Sequence, residues 1–252
     1  MASTSSAETI RPRMPDGAFL VARRHDPAEP LALALLMPDL GEDLTALDGA
    51  ASRLAALGVR AFVVEHRGHG QSGGSWSLAG HLRDYRAWLW TLKEAAQGLP
   101  VIVIARGLSA TLALLHEEIA HRQRARPAVP DGMLLLDPVA RGMDREPLRA
   151  IFGRLGACRG IPRRERLVLR RFSMPPVRVQ TPTIIFASGP LDGSAPHDPL
   201  RLVFGNARIR RATWLHPTTR LAVKRADIEI AGACEELLAM ERPHRFATRF
   251  TR

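Results

Sequence analysis

Residues 59 to 74 read Val-Arg-Ala-Phe-Val-Val-Glu-His-Arg-Gly-His-Gly-Gln-Ser-Gly-Gly, an apolar β-favouring run that passes directly into a loop with four glycines. A short apolar run bounded by turn residues predicts a buried strand. Upstream, apolar residues recur at helical spacing from Asp43 to Leu57 and stop at Gly58, which suits a C-terminal cap. Helix, glycine, strand and glycine loop thus follow one another without a spacer.

The same alternation continues in both directions. Strands are expected at Ala18–Ala22, Leu31–Met37, Val59–Glu65, Val101–Ala105, Met133–Leu136, Thr183–Ala187 and Ala212–His216. Helices are expected at Ser77–Ala96, at Ala110–Glu118 and at Ile228–Met240. Strands alternating with helices build βαβ units and a mostly parallel sheet, so the fold class is α/β. A chain of 252 residues can bury one large core of this kind.

The loop at 65–74 resembles the Asp-His-Arg-Gly-His-Gly-x-Ser-x-Gly loop of the monoacylglycerol lipase and lysophospholipase-like branch of the α/β hydrolases, the serine aminopeptidase S33 type. Asp16 to Leu20 resembles that family's opening strand, Leu36 to Asp43 its oxyanion loop, Pro100 to Ile104 its nucleophile strand, and Pro182 to Asp192 its acid-bearing strand and turn. The four segments stand in family order, and the resemblance covers about residues 16 to 240. It implies an α/β-hydrolase domain over 16–240 with a lid insertion at about 139–180. A disordered segment is expected at 1–15 and a basic tail at 241–252.

Acyl transfer on this fold needs a nucleophile on a sharp strand-to-helix turn, a histidine base, an acid to orient it, and backbone donors for the oxyanion. Laid on the strand from Pro100, the resemblance puts Gly107 at the nucleophile position, and glycine has no side chain to attack a carbonyl. It puts Pro38 and Asp39 in the oxyanion loop, with Leu108 following the nucleophile position. Proline lacks an N–H, and a carboxylate there would oppose the developing charge. The acid position is kept as Asp192, while the base position holds Arg220, which stays protonated at physiological pH. His66 and His69 fall in the glycine loop, whose family role is structural.

These positions point to a non-catalytic hydrolase-fold protein that binds a small ligand or a protein partner through the former pocket or the basic lid. Arg220 paired with Asp192, Gly107 at the elbow and no histidine beside Ser109 would fit that reading. The alternative is a serine ester hydrolase with a displaced triad, Ser109, Asp192 and His216, in a Gly-x-Ser-x-Thr register from Gly107 to Thr111. The bland reading of Ser109 is a small residue bonded to backbone in the first turn of a helix.

Composition narrows the rest. The net charge is +11 and comes almost wholly from arginine, since Lys93 and Lys224 are the only lysines. Eleven arginines and three acids, Asp144, Glu146 and Glu165, lie between Arg141 and Arg178. Such a stretch can meet anionic lipid, whereas the absence of interleaved aromatics and of a binding motif does not favour nucleic acid. Two cysteines, Cys158 and Cys234, lack metal-site spacing and read as reduced thiols. No cofactor or metal is implied. No apolar run reaches membrane-spanning length, the first residues lack the apolar core of a secretory signal, and the expected location is cytoplasmic.

Overall fold

In the computed structural model, residues 7–122, 128–139, 161–188, 203–212 and 222–241 are described. Eight strands form one sheet: β1 (Ala7–Ile10), β2 (Ala22–His25), β3 (Ala32–Met37), β4 (Val59–Val64), β5 (Val101–Arg106), β6 (Gly132–Leu136), β7 (Val177–Ala187) and β8 (Val203–Arg211). Their spatial order is β1-β2-β4-β3-β5-β6-β7-β8. β1 and β2 pair antiparallel, as do β2 and β4, and every other neighbour pair is parallel. This is the mostly parallel α/β sheet that the sequence predicts.

The helices are α1 (Thr45–Ala56), α2 (Leu78–Ala95), α3 (Gly107–Arg122), α4 (Arg163–Arg171) and α5 (Ala222–Glu241). They cover both faces because side chains alternate along each strand. Ala32, Ala34 and Leu36 of β3 pack in a cluster with Leu47, Ala50 and Leu54 of α1 and Ile230, Cys234 and Leu237 of α5. Leu33, Leu35 and Met37 face the other way, toward Tyr85, Trp88 and Leu89 of α2 and Ala110, Ala113 and Leu114 of α3. Burial on both faces explains the unbroken apolar run Leu31–Met37.

Gly58 takes φ +84° where α1 turns into β4, as its capping position requires. Ser77 caps α2, its side chain accepting the Gly80 N–H.

Several boundaries differ from the sequence expectation. The segment 1–15 is not wholly without structure, since Ala7–Ile10 adds an edge strand to β2. The opening strand expected at Ala18–Ala22 lies instead at Ala22–His25. It carries Arg23 and Arg24, whose ion pairs with Asp48, Glu8 and Asp26 make this second strand of the sheet less than purely apolar. The last strand is Val203–Arg211 rather than Ala212–His216, and residues 213–216 lie outside the described residues. The expected lid also runs into the sheet, because β7 already starts at Val177 and extends the strand expected at Thr183–Ala187. Within the rest of that insertion, α4 is the described element, and 140–160 are outside the described residues, as is the tail from 242.

Candidate functional site

The site forms where β3 and β5 end side by side. Their parallel register sets Met37 opposite Ala105, so two residues further on Asp39 and Gly107 come together. Gly107 begins α3 directly after β5 with φ +55°, a left-handed conformation that glycine adopts without the Cβ conflict other residues meet. The sharp strand-to-helix turn is therefore at Gly107, and Ser109 lies in the first turn of α3.

The place that a side chain at 107 would fill is taken. A Cβ on Gly107 would come within 2.1 Å of Cγ and Oδ1 of Asp39 and 2.2 Å of its Oδ2. Oδ1 accepts the Leu108 N–H at 2.9 Å and the Leu40 N–H at 2.7 Å. Two backbone donors thus converge on one carboxylate oxygen, the geometry that an oxyanion hole offers to a substrate. Burial is the largest influence on this carboxyl group, followed by the like charge of Glu42. Together they push its pKa up to about 7, against the two N–H donors and Arg106. Glu42 also orders the loop: its Oε2 accepts the Asp39 N–H at 2.9 Å and its Oε1 pairs with Arg106 at 2.9 Å. Pro38 supplies no N–H to this arrangement, but its carbonyl is used.

Ser109 is buried, with 1% of its surface exposed. Its hydroxyl donates to the Pro38 carbonyl at 2.6 Å. Contrary to the expectation of no histidine nearby, two ring nitrogens lie beside it, His66 Nε2 at 3.2 Å and His81 Nε2 at 3.3 Å. Neither can take its proton. His66 Nε2 lies 2.7 Å from the Pro38 carbonyl oxygen, which can only accept, so that nitrogen carries the hydrogen. His81 Nδ1 accepts the Trp76 indole N–H at 3.3 Å, which leaves the hydrogen of the neutral ring on Nε2. Both rings are neutral, because burial drives the His66 pKa down to about 3 and that of His81 well below its ordinary value. Ser109 Oγ thus lies between one donor, His81 Nε2, and one acceptor, the Pro38 carbonyl. The missed signal was spatial, since His81 reaches this point from α2.

The glycine loop is held by the same economy of polar groups. His69 Nε2 accepts the Gly41 N–H at 3.0 Å and its Nδ1 donates to the Arg67 carbonyl at 3.1 Å, tying the oxyanion loop to the glycine loop. Glu65 accepts the N–H groups of Gln71 and Ser72 at 2.7 and 3.1 Å. Arg67 pairs through two nitrogens with the buried Asp84 of α2 and through a third contact with Asp16 at 2.9 Å.

Above the hole, Leu40 and Leu108 pack with Trp76, Ile161 and Leu169, so that α4 covers the two donor residues. Glu165 of α4 accepts the Leu78 N–H at the start of α2 at 3.1 Å. Outward, α4 exposes Arg163, Arg164, Arg170 and Arg171 around Leu167 and Val168. Asp192, His216 and Arg220 lie outside the described residues, and so does the pairing expected between Arg220 and Asp192. Cys234 is a buried free thiol. Among the described residues no group of three His, Cys, Asp or Glu side chains is arranged to hold a metal ion, and no helix is long and apolar enough to cross a membrane.

Residues 28–156 match the family of serine aminopeptidases, S33. A monoglyceride lipase homologue of Monkeypox virus is 29% identical over 90 residues, which is 34% of this chain and only 33% of that protein's length. Among solved structures, a soluble variant of monoglyceride lipase from Saccharomyces cerevisiae aligns with a TM-score of 0.63 at 12% identity, over 94% of this chain and 97% of that one. An esterase from Exiguobacterium antarcticum aligns with a TM-score of 0.63 at 13% identity, over 91% and 99%. At such identities the structural likeness speaks for the fold, and the family match speaks for descent. The chain belongs to the serine aminopeptidase S33 family of α/β hydrolases, with a monoglyceride-lipase-like fold.

Proposed function

We propose that this chain is a non-hydrolytic member of its family, which binds a small ligand or a protein partner instead of turning over a carboxylic ester. The observation that carries the reading is the Asp39 carboxylate, lying against Gly107 with Oδ1 on the Leu40 and Leu108 N–H groups. An ester carbonyl entering the site would find both donors engaged and a carboxyl group where its oxygen should go. Stabilisation of the oxyanion by such donors is the largest single contribution to acyl transfer, each being worth about 10²- to 10³-fold in rate. The bonding of Ser109 supports the same reading, since an activated nucleophile needs a base with a free lone pair. Binding through the covered site or through the arginine-bearing outer face of α4 is the activity left to the scaffold.

The test is reaction of the native protein with a fluorophosphonate probe, alongside turnover of short- and medium-chain nitrophenyl esters. No serine adduct is expected, and no hydrolysis above a heat-denatured control. Robust turnover abolished by Ser109→Ala would overturn the reading and establish the displaced triad of Ser109, Asp192 and His216.

A further inference from the structure

Leu167 stands at the centre of the outer face of α4. Its neighbours on the helix surface, at i−4, i−3, i+3 and i+4, are Arg163, Arg164, Arg170 and Arg171. All five side chains are exposed, and so is Val168 beside them, with 53% of Leu167 and 43% of Val168 open. Inward, the buried residues of the helix are Glu165 and Leu169, so most of its side chains serve no contact with the domain. What α4 presents outward is an aliphatic side chain inside a ring of guanidinium groups.

The ring is placed against the local interest of the helix. Arg163 and Arg164 occupy its first turn, where the macrodipole disfavours cations, and no side chain caps that end. Among the described residues Arg163, Arg170 and Arg171 make no ion pair, and Arg164 meets its chain neighbour Glu165 at 3.3 Å. Glu165 is itself committed to the Leu78 N–H. An arrangement that breaks a local rule and gains nothing inside the molecule points to a partner outside it.

The pattern decides between two kinds of anionic partner. A lipid surface takes up a helix through a continuous apolar face, whereas in α4 arginine flanks the one exposed leucine on both sides. An apolar centre within a charged rim is instead the anatomy of a protein interface, where arginine is enriched among the residues that carry the binding energy. A guanidinium group also grips a carboxylate through two parallel hydrogen bonds, which rewards carboxylates at fixed spacing. A helix with Glu or Asp at i−4, i−3, i+3 and i+4 around a leucine repeats the geometry of α4 with the opposite charge.

We propose that the outer face of α4 docks an acidic amphipathic helix of a protein partner, with an aliphatic side chain of that helix against Leu167 and Val168 and its flanking carboxylates on the four arginines. The inference rests on the non-hydrolytic reading and deepens it, since it names the partner's chemistry for this face.

The experiment titrates the full-length protein into a fluorescein-labelled synthetic peptide of about 20 residues, long enough to turn helical on binding, in which leucine is flanked by glutamate at those four positions. A scrambled peptide of the same composition controls for the charge of the chain, and phosphatidylglycerol vesicles provide the lipid arm. The patterned peptide should bind at least about tenfold more tightly than the scrambled one, and Leu167→Ser or the pair Arg170→Gln and Arg171→Gln should each remove about that much. Binding should weaken as salt rises to physiological strength. The comparison of the two peptides does not depend on any variant folding, and the substituted side chains are exposed. Equal binding of the two peptides, or binding unmoved by Leu167→Ser, overturns the proposal. Vesicle binding that the substitutions weaken, with no difference between the peptides, assigns the face to lipid and overturns it too. A fluorophosphonate adduct on a serine would instead overturn the non-hydrolytic reading, and it is read by mass, independently of either peptide.

Discussion

The carboxyl group of Asp39 lies flat against the Cα of Gly107, so close that a single added carbon would approach its Cγ to 2.1 Å. Two positions 68 residues apart in sequence thus share one side chain's worth of space, and what stands at either decides what the other can be.

A serine at 107 should therefore destabilise the protein without creating a hydrolase. Gly107→Ser combines a left-handed backbone with overpacking against Asp39, together about 2 to 5 kcal/mol. Adding Asp39→Gly should return the overpacking part and leave the backbone part. Chemical denaturation of both variants measures this, and a Gly107→Ser variant as stable as the parent would contradict the contact.

Ser109→Ala should cost about 1 to 3 kcal/mol of stability, the range for a buried donor left without its acceptor. The stranded group is the Nε2 hydrogen of His81, because Pro38 keeps the hydrogen bond from His66. Urea unfolding reads the loss. Esterase activity should be nil before and after.

Acid should weaken the fold through its neutral histidines. The His66 pKa lies at about 3 in the folded protein against 6.5 ordinarily, so the unfolded chain binds more protons between those values. Stability contributed by the neutral ring is complete above pH 6.5 and falls as pH drops toward 3. The slope is about 1.4 kcal/mol per pH unit for each such group. His69 and His81 shift in the same direction. Asp39 acts oppositely, since its raised pKa lowers stability as pH rises from 3.8 to about 7. His116 shifts down with the other histidines, and Glu65, Asp84 and Asp227 shift up with Asp39, so substitution of His66 is what isolates its share. His66→Gln should flatten the melting temperature profile between pH 6.5 and 5, and an unchanged profile would contradict the cause.

Glu165 fixes α4 to the first turn of α2, and its replacement should loosen the cover over Leu40 and Leu108. Glu165→Ala removes a carboxylate from an unpaired helix-terminal N–H, worth about 0.5 to 2 kcal/mol by analogy with capping residues. Trypsin should then cut within Arg163–Arg171 faster than in the parent. Equal rates would mean that the apolar contacts of Ile161 and Leu169 hold the helix unaided.

Sequence carried the inner strands and the helices well, because their burial is uniform and their ends are marked. Val59–Val64 between Gly58 and the glycine loop is the clearest case. It carried the outer strands poorly. β2 and β8 contain Arg23, Arg24, Arg208 and Arg210, whose charges are met by neighbouring acids at the sheet margin, and an apolar-run criterion passes over such strands. At the site, the departures Pro38, Asp39 and Gly107 were visible one by one. Their meeting was not, because it depends on the register of β3 against β5. The histidines around Ser109 escaped notice for the same reason, being brought together from the glycine loop and from α2.

The exclusion between positions 39 and 107 also couples the two as targets of substitution. A side chain at 107 and a carboxylate seated on the Leu108 N–H are mutually exclusive, so a change at either position alone is read through the other. Only a paired change at 39 and 107 would exchange one arrangement for the other.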